Sequence, residues 1–246
     1  MKFLKTHGIV LKEIDTGDAD KLIIVLTPDH GKITVAAPGA KRARSKFVGC
    51  SELLCYSQME LFKTRDNYRL NEGHIVEPFY QIRSDVVKLT YATYFSEVLM
   101  DVVMEEYAAK KELRLFLNCL HYINKDLKIL ELVASIFELR LLSINGMSPF
   151  VGGCISCYDK DAQSYSFSFK ECGLLCNKCL SRDINATSIL SGTYSALKHI
   201  INSKFDSLFR FDVSKDVQTE LRFISKRFFR ERIEKRYKSL DFLEKL

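Results

Sequence analysis

Four cysteines carry the clearest chemistry in this chain. Cys154 and Cys157 form one Cys-x2-Cys pair and Cys176 and Cys179 a second, with residues 158–175 between them. A tight turn within each pair brings two thiolates onto one cation. Two such turns on neighbouring hairpins complete a tetrahedral sulfur set for Zn²⁺. With every position filled by protein, a single Zn²⁺ per chain would be structural rather than catalytic. The competing reading is of ordinary buried or redox thiols. Cys172, just before Gly173, leaves the ligand set open, because it could displace a ligand by pairing with Cys176 in a Cys-x3-Cys turn. Cys50, Cys55 and Cys119 lie far off among apolar neighbours and read as core thiols. No histidine falls between Cys154 and Cys179, so a local set is all sulfur.

Cations supply the second chemistry. The formal charge of +6 is modest, but its distribution is uneven. Lys41, Arg42, Arg44 and Lys46 follow one another with no acid between them, in a segment opened by Pro38-Gly39-Ala40. Between residues 222 and 238, eight Lys or Arg residues face only Glu231 and Glu234. Such clusters are the electrostatic footprint of a polyanion. For the second cluster a merely solvated helix face is an equal alternative. For the first that alternative is weaker, since a glycine-containing loop has no helix to support.

These groups need elements to hold them. His7-Gly8-Ile9-Val10-Leu11, Leu22-Ile23-Ile24-Val25-Leu26 and Lys32-Ile33-Thr34-Val35-Ala36 predict three strands, separated by turns at Asp15-Thr16-Gly17-Asp18 and Pro28-Asp29-His30-Gly31. Gln58-Met59-Glu60-Leu61-Phe62 and Tyr68-Arg69-Leu70 predict two more around a turn at 64–67. Five short strands suit a Greek-key barrel of the OB type, with an open β-sheet platform as the alternative. Beyond Pro78 the period becomes helical. Ser84 is the expected N-cap of a helix marked by Val87, Tyr91, Tyr94, Val98 and Val102. Residues 113–123, 129–144, 194–201 and 217–235 repeat the pattern, and the second of these stops at Asn145-Gly146. Alternation in Ser164-Tyr165-Ser166-Phe167-Ser168-Phe169 predicts a hairpin between the cysteine pairs. The expected architecture is an α+β multidomain chain. Residues 1–80 form an OB-fold, and residues 81–246 form a helical bundle with a four-cysteine zinc hairpin inserted at about 150–182.

Composition sets outer bounds. At 246 residues, 47% of them apolar and 28% charged, the chain can build a proper core. Lys2, Lys5 and Lys12 interrupt the N-terminus, so no signal-peptide core is expected there, and no apolar run reaches membrane-spanning length. Metal-type cysteine spacing without an export signal predicts a reducing, cytoplasmic setting. Enzyme motifs are missing. Gly31-Lys32 resembles the tail of a phosphate-binding loop, but Ile33 stands where Ser or Thr is required and Leu26 where glycine is. There is no His-Glu-x-x-His, no His-x-Glu before the cysteine pairs and no Gly-x-Ser-x-Gly, so no catalytic turnover is expected.

Assembled in order, these motifs resemble the RecO family of bacterial recombination and repair mediators. The resemblance rests on Gly8-Ile9-Val10-Leu11, Gly17-Asp18-Ala19-Asp20-Lys21, His30-Gly31-Lys32 and the segment from Pro38 to Lys46. It continues through Phe137-Glu138-Leu139-Arg140-Leu141-Leu142, Gly146, Pro149 and Cys154-Ile155-Ser156-Cys157. Phe167-Ser168, Gly173-Leu174-Leu175-Cys176, Lys238-Ser239-Leu240 and Phe242-Leu243 complete it. Cys172 departs from the pattern, at a position where the family often carries glycine.

The resemblance implies a protein that binds single- and double-stranded DNA and anneals complementary strands. It also implies partnership with RecR and the single-stranded-DNA-binding protein SSB, and indirectly the loading of RecA, in the bacterial cytoplasm at the nucleoid. An OB barrel offers a groove for single strands, and Phe62 and Tyr68 either stack on bases or belong to the barrel core. Asp15, Asp18 and Asp20 are expected to repel phosphate from the first turn. The candidate DNA contacts are therefore Lys32, Lys41, Arg42, Arg44, Lys46, Lys63 and Arg65. Two rivals remain: a zinc-dependent enzyme on nucleic acid, which the closed sulfur set disfavours, and a zinc-ribbon regulatory factor that binds nucleic acid without annealing.

Overall fold

The computed structural model describes residues 3–65 and 67–243. The chain divides into two compact units, residues 1–127 with 237–246, and residues 128–236.

The first unit contains a closed five-stranded barrel of β1 (Phe3–Thr16), β2 (Asp20–Thr27), β3 (Gly31–Ala37), β4 (Tyr56–Lys63) and β5 (Tyr68–Glu77). Its order, β1-β2-β3-β5-β4 with β4 returning to β1, is that of the OB type expected from the sequence. Closure depends on β1, which pairs with β4 through its first half and with β2 through its second. A bulge between Val10 and Lys12 lets one long strand turn that corner. The parallel β3–β5 contact, Val35 opposite Tyr68 and Ala36 opposite Arg69, seals the other seam. Period-2 alternation then fills the interior. Val10, Ile23, Val25, Ile33, Val35, Met59, Leu61, Tyr68 and Leu70 are all buried in one core.

Helices α1 (Tyr80–Arg83), α2 (Val86–Val102) and α3 (Lys110–Asn124) belong to this unit, as does α7 (Lys238–Leu243). The N-cap of α2 is Asp85, whose carboxylate accepts from the N–H groups of Val87 and Lys88. Ser84, the expected cap, instead closes α1. Asp wins because its carboxylate reaches both orphan donors and carries the charge a helix N-terminus favours.

The second unit holds α4 (Leu130–Ile144), α5 (Ser191–Asn202) and α6 (Lys215–Ile233) with a four-stranded sheet. The sheet comprises β6 (Phe150–Cys154), β7 (Tyr165–Ser168), β8 (Gly173–Cys176) and β9 (Thr187–Ile189), in the order β6-β8-β7-β9. Helix α4 is buried almost all round, which makes it the unit's central element. The helices are thus shared between two units rather than gathered in one bundle. The compact-unit boundary lies well beyond residue 80, because α1 to α3 pack with the barrel.

Candidate metal centre and nucleic-acid surface

The metal centre follows from the register of three strands. β6 and β8 run parallel, and Cys154 at the end of one pairs with Leu174 in the other. Their C-terminal ends therefore emerge side by side, carrying Cys154 and Cys176. A turn after each strand brings round the second cysteine. In the first, the Tyr158 N–H donates to the Cys154 carbonyl at 2.8 Å. In the second, a short 3-10 helix (Asn177–Arg182) capped by Cys176 presents Cys179. Gly153 is required here: its φ is +138°, and a Cβ would lie 2.6 Å from the Asp159 carbonyl that receives the Cys154 N–H. The sequence predicts a hairpin between the knuckles, and β7–β8 is that hairpin. The knuckles themselves leave neighbouring parallel strands.

The four sulfurs lie within 4.8 Å of one another, with Cys157 Sγ and Cys176 Sγ 3.6 Å apart. Four sulfurs each about 2.3 Å from a central ion stand about 3.8 Å apart, so the constellation fits one tetrahedral cation. Its protonation chemistry points the same way. Burial pushes the Cys154 thiol up, but backbone N–H groups of Cys176, Cys157 and Ser156 outweigh it and bring it down to about 6. At Cys157 the Asp159 backbone lowers the thiol, yet the neighbouring cysteines and burial push it up to about 12. Four converging thiolates repel one another unless a cation sits among them. The residues could hold a metal ion.

Cys172 is outside this group. It occupies the β7–β8 turn with φ +58°, and its Sγ accepts from the Arg232 guanidinium at 2.8 Å. A left-handed backbone at this position accounts for glycine being acceptable there. Cys50, Cys55 and Cys119 are core thiols as expected, and burial raises all three, Cys50 to about 11.

The candidate DNA contacts fall at two ends of the barrel. Residues 38–46 form a chain of turns after β3, held at the β1–β2 turn by the Lys41 N–H to the Ala19 carbonyl at 2.9 Å. Asp20 accepts the Gly39 N–H at 2.7 Å, and Asp15 pairs with the Lys41 ammonium at 3.0 Å. The acids of the first turn therefore anchor the basic loop, a role beyond the repulsion expected of them. Lys41 is a tether. Arg42, Arg44 and Lys46 are exposed, with the Lys46 ammonium 5.1 Å from the Phe47 ring centre.

Lys63 and Arg65 are exposed at the opposite end, where the β4–β5 turn lies beside the start of β3. The length of β3, on the order of 20 Å, separates the two groups. Sequence reasoning passed over the cation between them. Arg69 faces outward on β5 opposite Ala36, and the buried-exposed-buried pattern of Tyr68-Arg69-Leu70 already signals it.

Lys32 does not join this surface. Its ammonium donates to the Met100 carbonyl in the last turn of α2, where a cation satisfies a helix-end acceptor and complements the dipole. Tyr68 is 6% exposed and belongs to the barrel core, so it offers no ring for stacking. Phe62 is half-buried on the outside, edge-on to the exposed Phe3 ring at 5.8 Å.

The 222–238 cluster is only partly engaged, with Arg227, Arg230, Lys235, Arg236 and Lys238 exposed. Arg222 pairs at 2.6 Å with Glu138, which is fully buried on α4, and Arg222 also reaches Ser225. Arg227 lies over the Phe169 ring at 3.9 Å and bonds Glu231. Arg140 donates to the carbonyls of Ile200, Ile201 and Ser203, closing the C-terminal end of α5. Among the described residues no helix is long and apolar enough to cross a membrane.

Comparison with known families agrees with this geometry at both ends of the chain. Residues 1–79 match the family described as Recombination protein O N terminal, and residues 83–241 match Recombination protein O C terminal. The chain is 43% identical over 246 residues to the DNA repair protein RecO of Acetivibrio thermocellus, covering all of this chain and 98% of that one. It is 32% identical to the protein of the same name from Clostridium perfringens strain 13, covering 99% of this chain and 98% of that one. With the RecO of Caldicellulosiruptor bescii the identity is 31%, over 98% of each chain. An OB-type barrel, a four-cysteine knuckle pair and end-to-end similarity at these levels make the chain a member of the RecO family of DNA repair proteins.

Proposed function

We propose that this protein binds single- and double-stranded DNA through its barrel and anneals complementary strands. In this reading it works with RecR and SSB at the bacterial nucleoid so that RecA can be loaded, and it turns over no substrate. The observation that carries the DNA half is the outward-facing series Arg42, Arg44 and Lys46, then Arg69, then Lys63 and Arg65, running from one end of an OB-type barrel to the other. Cations so placed neutralise phosphates without reading bases, and the Phe3–Phe62 pair at the far end offers a sequence-tolerant stacking face. Annealing asks for that combination, because two phosphate backbones must approach while their pairing edges stay free. The partner half rests on family membership.

The cysteine centre in this reading binds Zn²⁺. The ion supplies no chemistry beyond cross-linking β6 and β8, since all four ligand positions are protein sulfur. Annealing of complementary strands coated with SSB, with and without the protein, tests the proposal. Acceleration that falls steeply with salt supports it. DNA binding without acceleration would favour the regulatory zinc-ribbon alternative.

A further inference from the structure

Loop 103–109, between α2 and α3, is strapped across the barrel end that carries Lys63. The Lys32 N–H donates to the Met104 carbonyl at 3.4 Å, the Glu106 N–H to His30 at 3.0 Å and the Ala109 N–H to Pro28 at 2.9 Å. Gly31 admits the strap: its φ is +59°, and a Cβ there would lie 2.1 Å from the Met104 carbonyl. This backbone clamp holds Glu106 with φ +62° and turns its carboxylate onto two donors, with the His30 ring beside it. One oxygen lies 3.4 Å from the Lys63 ammonium and 3.3 Å from the Tyr68 hydroxyl, and the other lies 3.6 Å from His30 Nδ1.

We propose that Lys63, Tyr68 and His30 form a phosphate site for single-stranded DNA, held in the free protein by the chain's own Glu106 carboxylate. A carboxylate and a backbone phosphate make the same demand on these donors: an anionic oxygen reached by an ammonium and a hydroxyl. The internal occupant is loosely held. Its contacts are all longer than the 2.7–2.9 Å usual for charge-assisted bonds, and the Glu106 side chain is 55% exposed. A phosphate can therefore enter from solvent and displace it. The strap itself stays in place, because main-chain bonds fix it. The wild-type protein thus gives up one internal ion pair for each phosphate captured here, which weakens binding at this end and leaves the 42–46 loop to make first contact.

The inference rests on the DNA-binding reading, and the test separates the two. Binding of a polythymidine single strand is measured against salt for the wild type, E106Q, E105Q, K63A and the K63A/E106Q double variant. Glu105 is the exposed neighbour, so E105Q changes net charge equally without freeing the site. E106Q should bind about fivefold tighter, the scale of one exposed ion pair relieved. Its log–log salt slope should steepen by about 0.7, because in the wild type the displaced Glu106 takes up a cation and cancels the counterion released by that phosphate. The gain should vanish in K63A/E106Q. The inference is overturned if E106Q binds like wild type, if E105Q matches it, or if the gain survives loss of Lys63, and in each case the DNA reading stands. No salt-dependent binding by any of the proteins overturns both.

Discussion

Cys154 and Cys172 show how far side-chain type and spacing carry a reading. Both are cysteines in the same short segment, yet only Cys154 joins the group that can hold a metal. Spacing points to the four cysteines that converge but leaves Cys172 open as a ligand. The position of Cys172 depends on a left-handed turn and on Arg232, sixty residues on, and neither is visible locally. C154S or C179S should abolish stoichiometric metal, read by elemental analysis of protein purified without chelator. Each should also destabilise the second unit, because ligand energy on the order of 10 kcal/mol is coupled to folding in such sites. C172S should keep the metal. Metal lost there, or retained by C154S, would refute the assignment. Charge was harder to read than sulfur. Lys32 and Lys41 look like Arg42 and Arg44 in the sequence, but one closes α2 and the other is tethered to Asp15. A cation's function depends on which carbonyl or carboxylate the fold brings to it.

Elements explain why some clusters act as surfaces and others as scaffold. The loop after β3 has no apolar periodicity to bury, and its exposed arginines are what the sequence leads one to expect. Changing Arg42, Arg44 and Lys46 together to Ala should flatten the salt dependence of single-strand binding by about 2 units, at about 0.7 per phosphate contact. Melting temperature should barely move, because exposed cations contribute little to stability. An unchanged slope would move the footprint elsewhere. Helix α6 is the opposite case. Its basic face reads as a polyanion site or a solvated surface, but Arg222 faces inward to Glu138, and Ser225 bonds Ser135 beside it. These polar residues complete a small network inside an otherwise apolar α4–α6 interface. R222A should cost about 3–5 kcal/mol in denaturant unfolding, since Glu138, at 0% exposure, would lose its guanidinium partner. A loss below about 1 kcal/mol would mean that the pair is dispensable. The strands were legible because alternation has a period of two. β6 and β9 were not, since Phe150-Val151-Gly152-Gly153 and Thr187-Ser188-Ile189 are too short and too poor in contrast to show it.

At the scale of the whole chain, the order of elements and the division into units part company. The two family matches meet near residue 80, where the barrel gives way to helix and the hydrophobic period changes. The compact units divide elsewhere. The chain leaves the first unit at Leu127, builds the second, and returns at Tyr237. Local periodicity cannot reveal a return of this kind, because it depends on contacts across more than a hundred residues. Tyr237 is 5% exposed and packs edge-on against the fully buried Tyr94 of α2, with ring centres 5.7 Å apart. Two residues later, the Ser239 hydroxyl and N–H donate to Glu97 at 2.6 and 3.4 Å, so an aromatic plug and these hydrogen bonds help fasten α7 to α2. Y237A would leave a cavity beside Tyr94, and truncation of a buried aromatic costs about 3–5 kcal/mol. Hydrogen exchange should therefore quicken in α2 and α7, while metal content stays at the wild-type value because the cysteine centre belongs to the other unit. Exchange that quickened instead in α4 and the knuckle sheet would assign the terminal segment to the second unit. Protection unchanged everywhere would mean that Tyr237 fills no stabilising role.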